Sequence, residues 1–168
     1  MTVASGGRHH AIFVLYLSIM MIRYSVLLML FLAGLTACGP VEDTRPGQPV
    51  KTRQTAFKEM LKVFEPMGTM LRTNKYDPQQ FVALAEALMT KRDAPWRHFA
   101  ADTHYPPTKA KPDVWAKAEQ FERERLAFMT ATDQLLVAAR AKRLADVQLA
   151  YQLVADACQS CHKNFREK

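Results

Sequence analysis

Cys158-Gln159-Ser160-Cys161-His162, close to the C-terminus, constrains this chain more than any other stretch. On a helix, residues i, i+3 and i+4 share one face. The pentapeptide therefore aims two thiols and an imidazole at the same side. C-x-x-C-H is the attachment pattern of c-type haem: the thiols bond covalently to the porphyrin vinyl groups, and the adjacent imidazole becomes an axial ligand to iron. The flanking residues repeat that geometry. Leu144, Val147, Tyr151, Val154, Cys158, Cys161 and Phe165 are spaced alternately by three and four, the seam of a helix packed against other helices. Thiols on such a seam put the haem inside a helical bundle rather than in a surface loop. Three other readings compete. A redox dithiol belongs near a βαβ pattern, and none is visible. A zinc site needs about four ligands, and no second Cys/His cluster supplies the rest. Two buried core cysteines falling into the pattern by chance is the third.

At 168 residues the chain has room for one domain and a targeting segment. Its formal net charge of +7 is moderately basic. Without residues 1–37 the remainder holds 21 Lys and Arg against 16 Asp and Glu, a net +5, and two haem propionates would lower it further. Along the sequence the basic residues are spread out, which fits a solvated bundle surface. Nucleic-acid binding would want a basic face and a recognisable module. A mildly cationic surface also suits an acidic redox partner.

Residues 11–37 are strongly apolar but broken by Arg23-Tyr24-Ser25. As a single transmembrane helix the run would hold an arginine near mid-membrane, at about 2.5–3.5 kcal/mol on insertion scales. A start at Met20 or Met21 divides it better: Met-Ile-Arg-Tyr-Ser is then a short positive n-region, Val26 to Ala33 the apolar h-region, and Gly34 to Ala37 the small-residue cleavage region. On this division 1–37 is a signal segment. Leu35-Thr36-Ala37-Cys38 resembles a bacterial lipobox, which implies a lipidated Cys38 as the mature N-terminus. Ordinary cleavage and a retained anchor are the alternatives. Two or more acyl chains hold a protein firmly to a membrane, and Gly39 after the cysteine resembles outer-membrane sorting signals. The expected location is the periplasmic side of a bacterial membrane. Export agrees with c-type haem, which bacteria attach outside the cytoplasmic membrane. Cys38 would go to lipid, and Cys158 and Cys161 to haem.

Gly39 to Pro49 is rich in Pro, Gly and polar residues and reads as a flexible tether, so residues 38–49 link the membrane to a domain spanning 50–168. The first helix has the seam Val50, Arg53, Phe57, Met60, Phe64, Met67 and Leu71, with Pro66 expected to kink or break it. Arg53 on that seam needs a partner. A haem propionate is one solution, and snorkelling to solvent is the other. Asp77 and Pro78 make a strong helix start. The second helix runs to about Lys91 with Phe81, Leu84 and Leu88 inward. Trp96 to Lys111 is irregular, with a short helical turn at Trp96–Phe99. Pro112 opens the third helix, marked by Trp115, Ala118, Phe121, Phe128 and Leu135, and it runs to about Ala141. The fourth begins near Arg143–Leu144 without the Gly or capping residue expected at such a junction. With no strand-like alternation anywhere, the fold class is all-α: an antiparallel up-down-up-down four-helix bundle with haem attached covalently to the last helix.

The residues now resemble a family, the class II c-type cytochromes, and within it cytochrome c′. The resemblance spans Val50 to Lys168. Its pieces are Val50-x-x-Arg53-Gln54-x-x-Phe57-x-x-Met60, Ala94-Pro95-Trp96-x-x-Phe99, Pro112-x-x-Trp115 and Cys158-x-x-Cys161-His162-x-x-Phe165-Arg166. The resemblance implies one covalent haem c, thioethers at Cys158 and Cys161, and His162 as the proximal ligand. It also implies Arg53 and Gln54 beside the propionate edge, Arg166 near the proximal histidine, and Phe165 and Trp96 as pocket walls. His98 and His104, in a loop longer than the family's, are expected at the surface. Homodimers are common in the family.

The same resemblance puts Phe57 on the distal face. Low-spin members have a ligating methionine there and high-spin members an apolar residue. Phenylalanine cannot donate to iron, so the expectation is a five-coordinate, high-spin haem with a dry distal face that rejects water and anions. Met60, one turn on, is the rival sixth ligand; its other role is core filler. Two functions follow: electron transfer, and binding of small diatomic gases, chiefly NO capture. No second metal cluster or acid/base pair argues for an enzyme.

Overall fold

The computed structural model describes residues 16–18, 20–25 and 41–168. Residues 16–18 and 20–25 are helical and exposed and belong to a compact unit of Met1–Pro40, while Val41–Lys168 forms a second. Cys38 and its cleavage region lie outside the described residues. Among the described residues no helix is long and apolar enough to cross a membrane.

The second unit has five helices: α1 Pro49–Arg72, α2 Pro78–Lys91, α3 Asp113–Ala116, α4 Ala118–Ala141 and α5 Leu144–Phe165, with a 3₁₀ turn at Trp96–His98. The long helices α1, α2, α4 and α5 form an antiparallel four-helix bundle, each packed on the next in sequence. Helices α1 and α5 scarcely touch, and that open side holds the candidate site. The core is Met67, Phe81, Leu88, Leu135, Val147 and Val154, all essentially inaccessible. Each contributes about 1.5–3 kcal/mol on burial.

Helix α1 starts through a long-range cap. Gly47 (φ 74°) and Gln48 (φ 43°) turn the chain so that the buried Asp43 carboxylate reaches the first helical turn. It accepts hydrogen bonds from Val50 N at 2.8 Å and Lys51 N at 3.1 Å, and from Tyr105 Oη at 2.8 Å. Residues 41–48 thus fold with the domain, within the stretch 38–49 read from composition as tether; residues 38–40 lie outside the described residues. The helix is not broken at Pro66. Proline forfeits one backbone bond to the carbonyl four residues back, and that residue, Lys62, is exposed to water, while Phe64 and Met67 anchor the helix on either side. Helix α2 matches its expected bounds, with Asp77 Oδ1 accepting from Gln79 N and Gln80 N at 2.9 Å. Ala85 is buried where Leu84 is only partly so.

The expected third helix is two. A break at Lys117 (φ −120°, ψ 48°) separates α3 from α4, leaving Ala118 exposed and Val114 buried in its place. Leu144, expected on the seam of α5, is 44% exposed, because it is the first residue of the helix and lies beyond the core. The α4–α5 junction closes without glycine by placing Lys142 in the left-handed region (φ 59°), its N–H bonding Ala138 O and Ala139 O. Lys142 is exposed, so Lys142→Gly removes backbone strain at no cost in contacts. A gain of about 0.5–1 kcal/mol is expected in a denaturant titration, after the entropic penalty of glycine.

Below the open side, α1 and α5 meet at one place. Tyr151 stacks on Phe64 with ring centroids 4.5 Å apart and planes 11° apart, and it reaches over Gly68. A Cβ there would collide with Tyr151 Oη and lie 2.8 Å from Tyr151 Cζ. Gly68→Ala gains about 1 kcal/mol in helix propensity, but overpacking costs about 1–3. The expected net result is a loss of up to about 2 kcal/mol, against the usual benefit of removing a helical glycine; a raised melting temperature would mean Tyr151 moves freely.

Candidate haem site

Two adjoining cavities open between α1 and α5, of about 110 and 300 Å³. Phe57, Leu61, Trp96, Cys161 and His162 line both. The smaller also meets Met60, Phe64, Leu88, Phe128, Val154 and Cys158. The larger reaches the surface past Arg53, Gln54, Lys58, Lys109, Phe165 and Arg166. Every residue that the sequence assigned to haem contact therefore lines one cavity or the other. Neither His98 nor His104 does: His98 Nε2 accepts from Arg97 Nε at 3.2 Å, and the His104 ring packs 5.2 Å from Trp115.

Helical spacing brings Cys158, Cys161 and His162 to one wall, as the motif dictates. Burial pushes the Cys158 thiol up to about 11 and the Cys161 thiol up to about 12, so both are neutral in the unloaded chain. His162 loses solvation, and Arg166 adds a like charge, so its imidazole titrates below its ordinary value. Neutral imidazole is the form that binds metal.

The opposite wall is aromatic. Phe57 meets Trp96 edge-on at 5.5 Å and 87°, and Phe99 at 6.3 Å and 71°. Trp96 continues to Phe121 and Phe128 at 6.2 and 5.9 Å, and Phe121 meets Phe165 at 5.3 Å. Trp96 is held by its own N–H, which donates to Arg92 O at 2.6 Å.

Arg53 does not snorkel. It is 2% exposed, because the irregular loop folds over it. Nη1 donates to His98 O and Thr103 Oγ1, both at 2.8 Å, and Nη2 to Thr103 O at 3.0 Å and Thr108 Oγ1 at 2.6 Å. The guanidinium also lies 4.6 Å over the Phe99 ring. Burial pulls its pKa below the ordinary value, opposed by Tyr105 and Asp43. Gln54 Nε2 donates to Pro107 O at 3.0 Å.

The sequence reading missed Glu124. Glu124 lines the smaller cavity, and its carboxylate accepts from Ser160 Oγ at 2.9 Å and Asn164 Nδ2 at 3.0 Å, tying α4 to α5 between the two cysteines and just past His162. The signal was present: Glu124 falls between Phe121 and Phe128 at seam spacing, the same anomaly that drew attention to Arg53.

Two facing walls, one carrying paired thiols and an imidazole and the other apolar and aromatic, fit a flat apolar macrocycle held by thioethers. Fold and site together define a c-type haem protein of the four-helix-bundle class. More narrowly, the chain belongs to the cytochrome c′ family: the family model described as Cytochrome C' matches residues 48–166. Cytochrome c' of Alcaligenes xylosoxydans xylosoxydans is 31% identical over 125 residues, covering 74% of this chain and 97% of that protein. A nitric oxide complex of a cytochrome c prime variant from Alcaligenes xylosoxidans superposes with TM-score 0.70 at 31% identity, over 76% of this chain and 100% of that one. Cytochrome c' of Rubrivivax gelatinosus does so at TM-score 0.70 and 26% identity, over 75% and 100%. Members of this family bind covalent haem c and are periplasmic carriers or gas binders rather than enzymes.

Proposed function

We propose that this chain is an exported, lipid-anchored haem protein whose iron is five-coordinate and high-spin and which carries single electrons at a membrane surface. The observation that carries the reading is Phe57 at the junction of the two cavities, where a side chain with no donor atom faces the wall bearing Cys158, Cys161 and His162. Bound haem supplies an iron that exchanges one electron and accepts a small sixth ligand. Cys158 and Cys161 would hold the group covalently, and His162 would supply a ring nitrogen to its iron. Phe165, with Trp96 across from it, excludes water from the faces. Gln54 and Arg53 line the larger cavity and would lie nearest the haem propionates. Arg166 lies by His162. The larger cavity reaches the surface beside Lys58 and Lys109, which supports a short electron path between the site and the surface.

Capture of neutral diatomics is the second reading. It is supported by the almost wholly apolar lining of the smaller cavity and by the nitric oxide complex of the Alcaligenes relative. Optical and EPR spectra of the matured protein, with and without NO, test both. A high-spin ferric spectrum, with NO taken up by the ferrous form, is the expected result. A low-spin ferric spectrum with methionine ligation would overturn the vacant position and point to Met60. The anchor is tested separately: intact mass of the exported chain should show acyl groups on Cys38, lost in Cys38→Ser.

A further inference from the structure

The fold sorts charge that the sequence scatters. Residues 41–53, 97–117 and 163–168 are stitched into one end of the bundle. Tyr105 donates to Asp43 at 2.8 Å and Arg45 Nη1 to Asp102 O at 2.7 Å; Glu167 N donates to Lys109 O at 2.8 Å and Lys111 N to Phe165 O at 2.9 Å. These three segments hold ten Lys and Arg against five Asp and Glu, whereas the rest of 41–168 holds eleven of each. The whole net positive charge of the domain therefore sits at one end. Asp43 and Arg53 are buried there, and Arg45 and Lys117 pair with Asp102 and Asp113. Lys51, Arg97, Lys109, Lys163, Arg166 and Lys168 are exposed and have no carboxylate partner among the described residues. Even with two haem propionates at this end, it stays basic.

The chain also enters the domain here. Asp43, latched under Tyr105 and over the first turn of α1, fixes the course of residues 43–51. Cys38 precedes Val41 by three residues, at most about 11 Å of extended chain.

We propose that this basic end docks on an anionic lipid surface, so that the mouth of the larger cavity, at Lys109 and Arg166, faces the headgroups. The inference rests on the reading of Cys38 as the lipid-bearing residue. An anchor alone fixes distance, not orientation. The short leash brings this end of the domain near the membrane, and the unpaired cations set the orientation, because their attraction to anionic headgroups acts over a Debye length of about 8 Å.

The test uses the full exported, haem-loaded chain with vesicles of phosphatidylcholine, with or without phosphatidylglycerol. Lysines are acetylated and read by peptide mass spectrometry. Labelling of Lys51, Lys109 and Lys163 should fall severalfold only when phosphatidylglycerol is present, and recover at high salt. Lys75 and Lys142, in the turns at the other end of the bundle, should label as in free solution. Lys109→Gln with Lys163→Gln should reduce the phosphatidylglycerol-dependent protection of Lys51. Uniform labelling, or protection centred on Lys75 and Lys142, overturns the proposal. Intact mass separates the two readings: an acylated chain with no protected end keeps the anchor and loses the docking face, and a chain without acyl groups but with the end protected does the reverse.

Discussion

Arg53→Met is expected to lower the thermal midpoint by about 10–20 °C, the largest stability effect of any single change in the haem cavity. Methionine keeps the apolar stem packed against Phe99 but removes four hydrogen bonds at once. Two carbonyls, of His98 and Thr103, and two hydroxyls, of Thr103 and Thr108, then lose their donor. Each buried group left unmade costs about 1–3 kcal/mol, with some relief as water enters, so the total is about 3–5 kcal/mol. For a domain of this size that corresponds to the stated shift. Arg53→Lys should recover little, because an ammonium is a single point of charge and cannot fork to both ends of the loop. Thr103→Val, which deletes one acceptor and the hydroxyl bond to Ala100 O, should cost less than half as much. Melting followed by circular dichroism gives the magnitudes, and limited proteolysis shows whether loop 99–111 is released. A midpoint within a few degrees of the parent for Arg53→Met would mean that the loop is held by other contacts.

The same arginine shows how far sequence reasoning reached. A charge on an otherwise apolar seam announced that something must satisfy it, and that step was sound. The partners could not be read, because backbone carbonyls 45 and 50 residues away carry no side-chain signature. Helices α2 and α5 were legible because their signals are local: Asp77-Pro78 at one start, three-four spacing through Cys158 and Cys161 at the other. The cap of α1 was not. Asp43 lies seven residues before the N–H it serves, and only two consecutive left-handed residues bring it there. Lys142 hid the α4–α5 turn in the same way, since nothing about lysine suggests positive φ. Lys117, where α3 ends and α4 begins, likewise carries no breaker residue. Glu124 carries the same signal as Arg53, a charge at seam spacing, but Phe121 and Phe128 dominate the pattern around it. The concentration of charge at one end belongs to tertiary structure alone, since it depends on three segments far apart in the chain.

Phe57→Ala is expected to speed CO association with the ferrous protein by about one to two powers of ten. The ring lines both cavities and is held edge-on by Trp96 at 5.5 Å and Phe99 at 6.3 Å. For a ligand to enter past it, the ring must leave those neighbours. Each aromatic pair is worth about 0.5–1.5 kcal/mol, so opening costs about 1–3 kcal/mol, and 1.4 kcal/mol is tenfold in rate. Alanine removes the barrier, whereas Phe57→Leu, shorter and without ring contacts, should fall between. Dissociation should change far less than association, because the truncated side chain offers no new hydrogen bond to a bound diatomic. Phe57→Met is the complementary experiment. It puts a thioether where the ring stood and should convert the ferric spectrum from high-spin to low-spin, with CO binding slowed by competition. Stopped-flow mixing of the reduced variants with CO measures the rates. If Phe57→Ala binds CO at the parent rate, the gate lies elsewhere, and Leu61, which also lines both cavities, is the next residue to truncate.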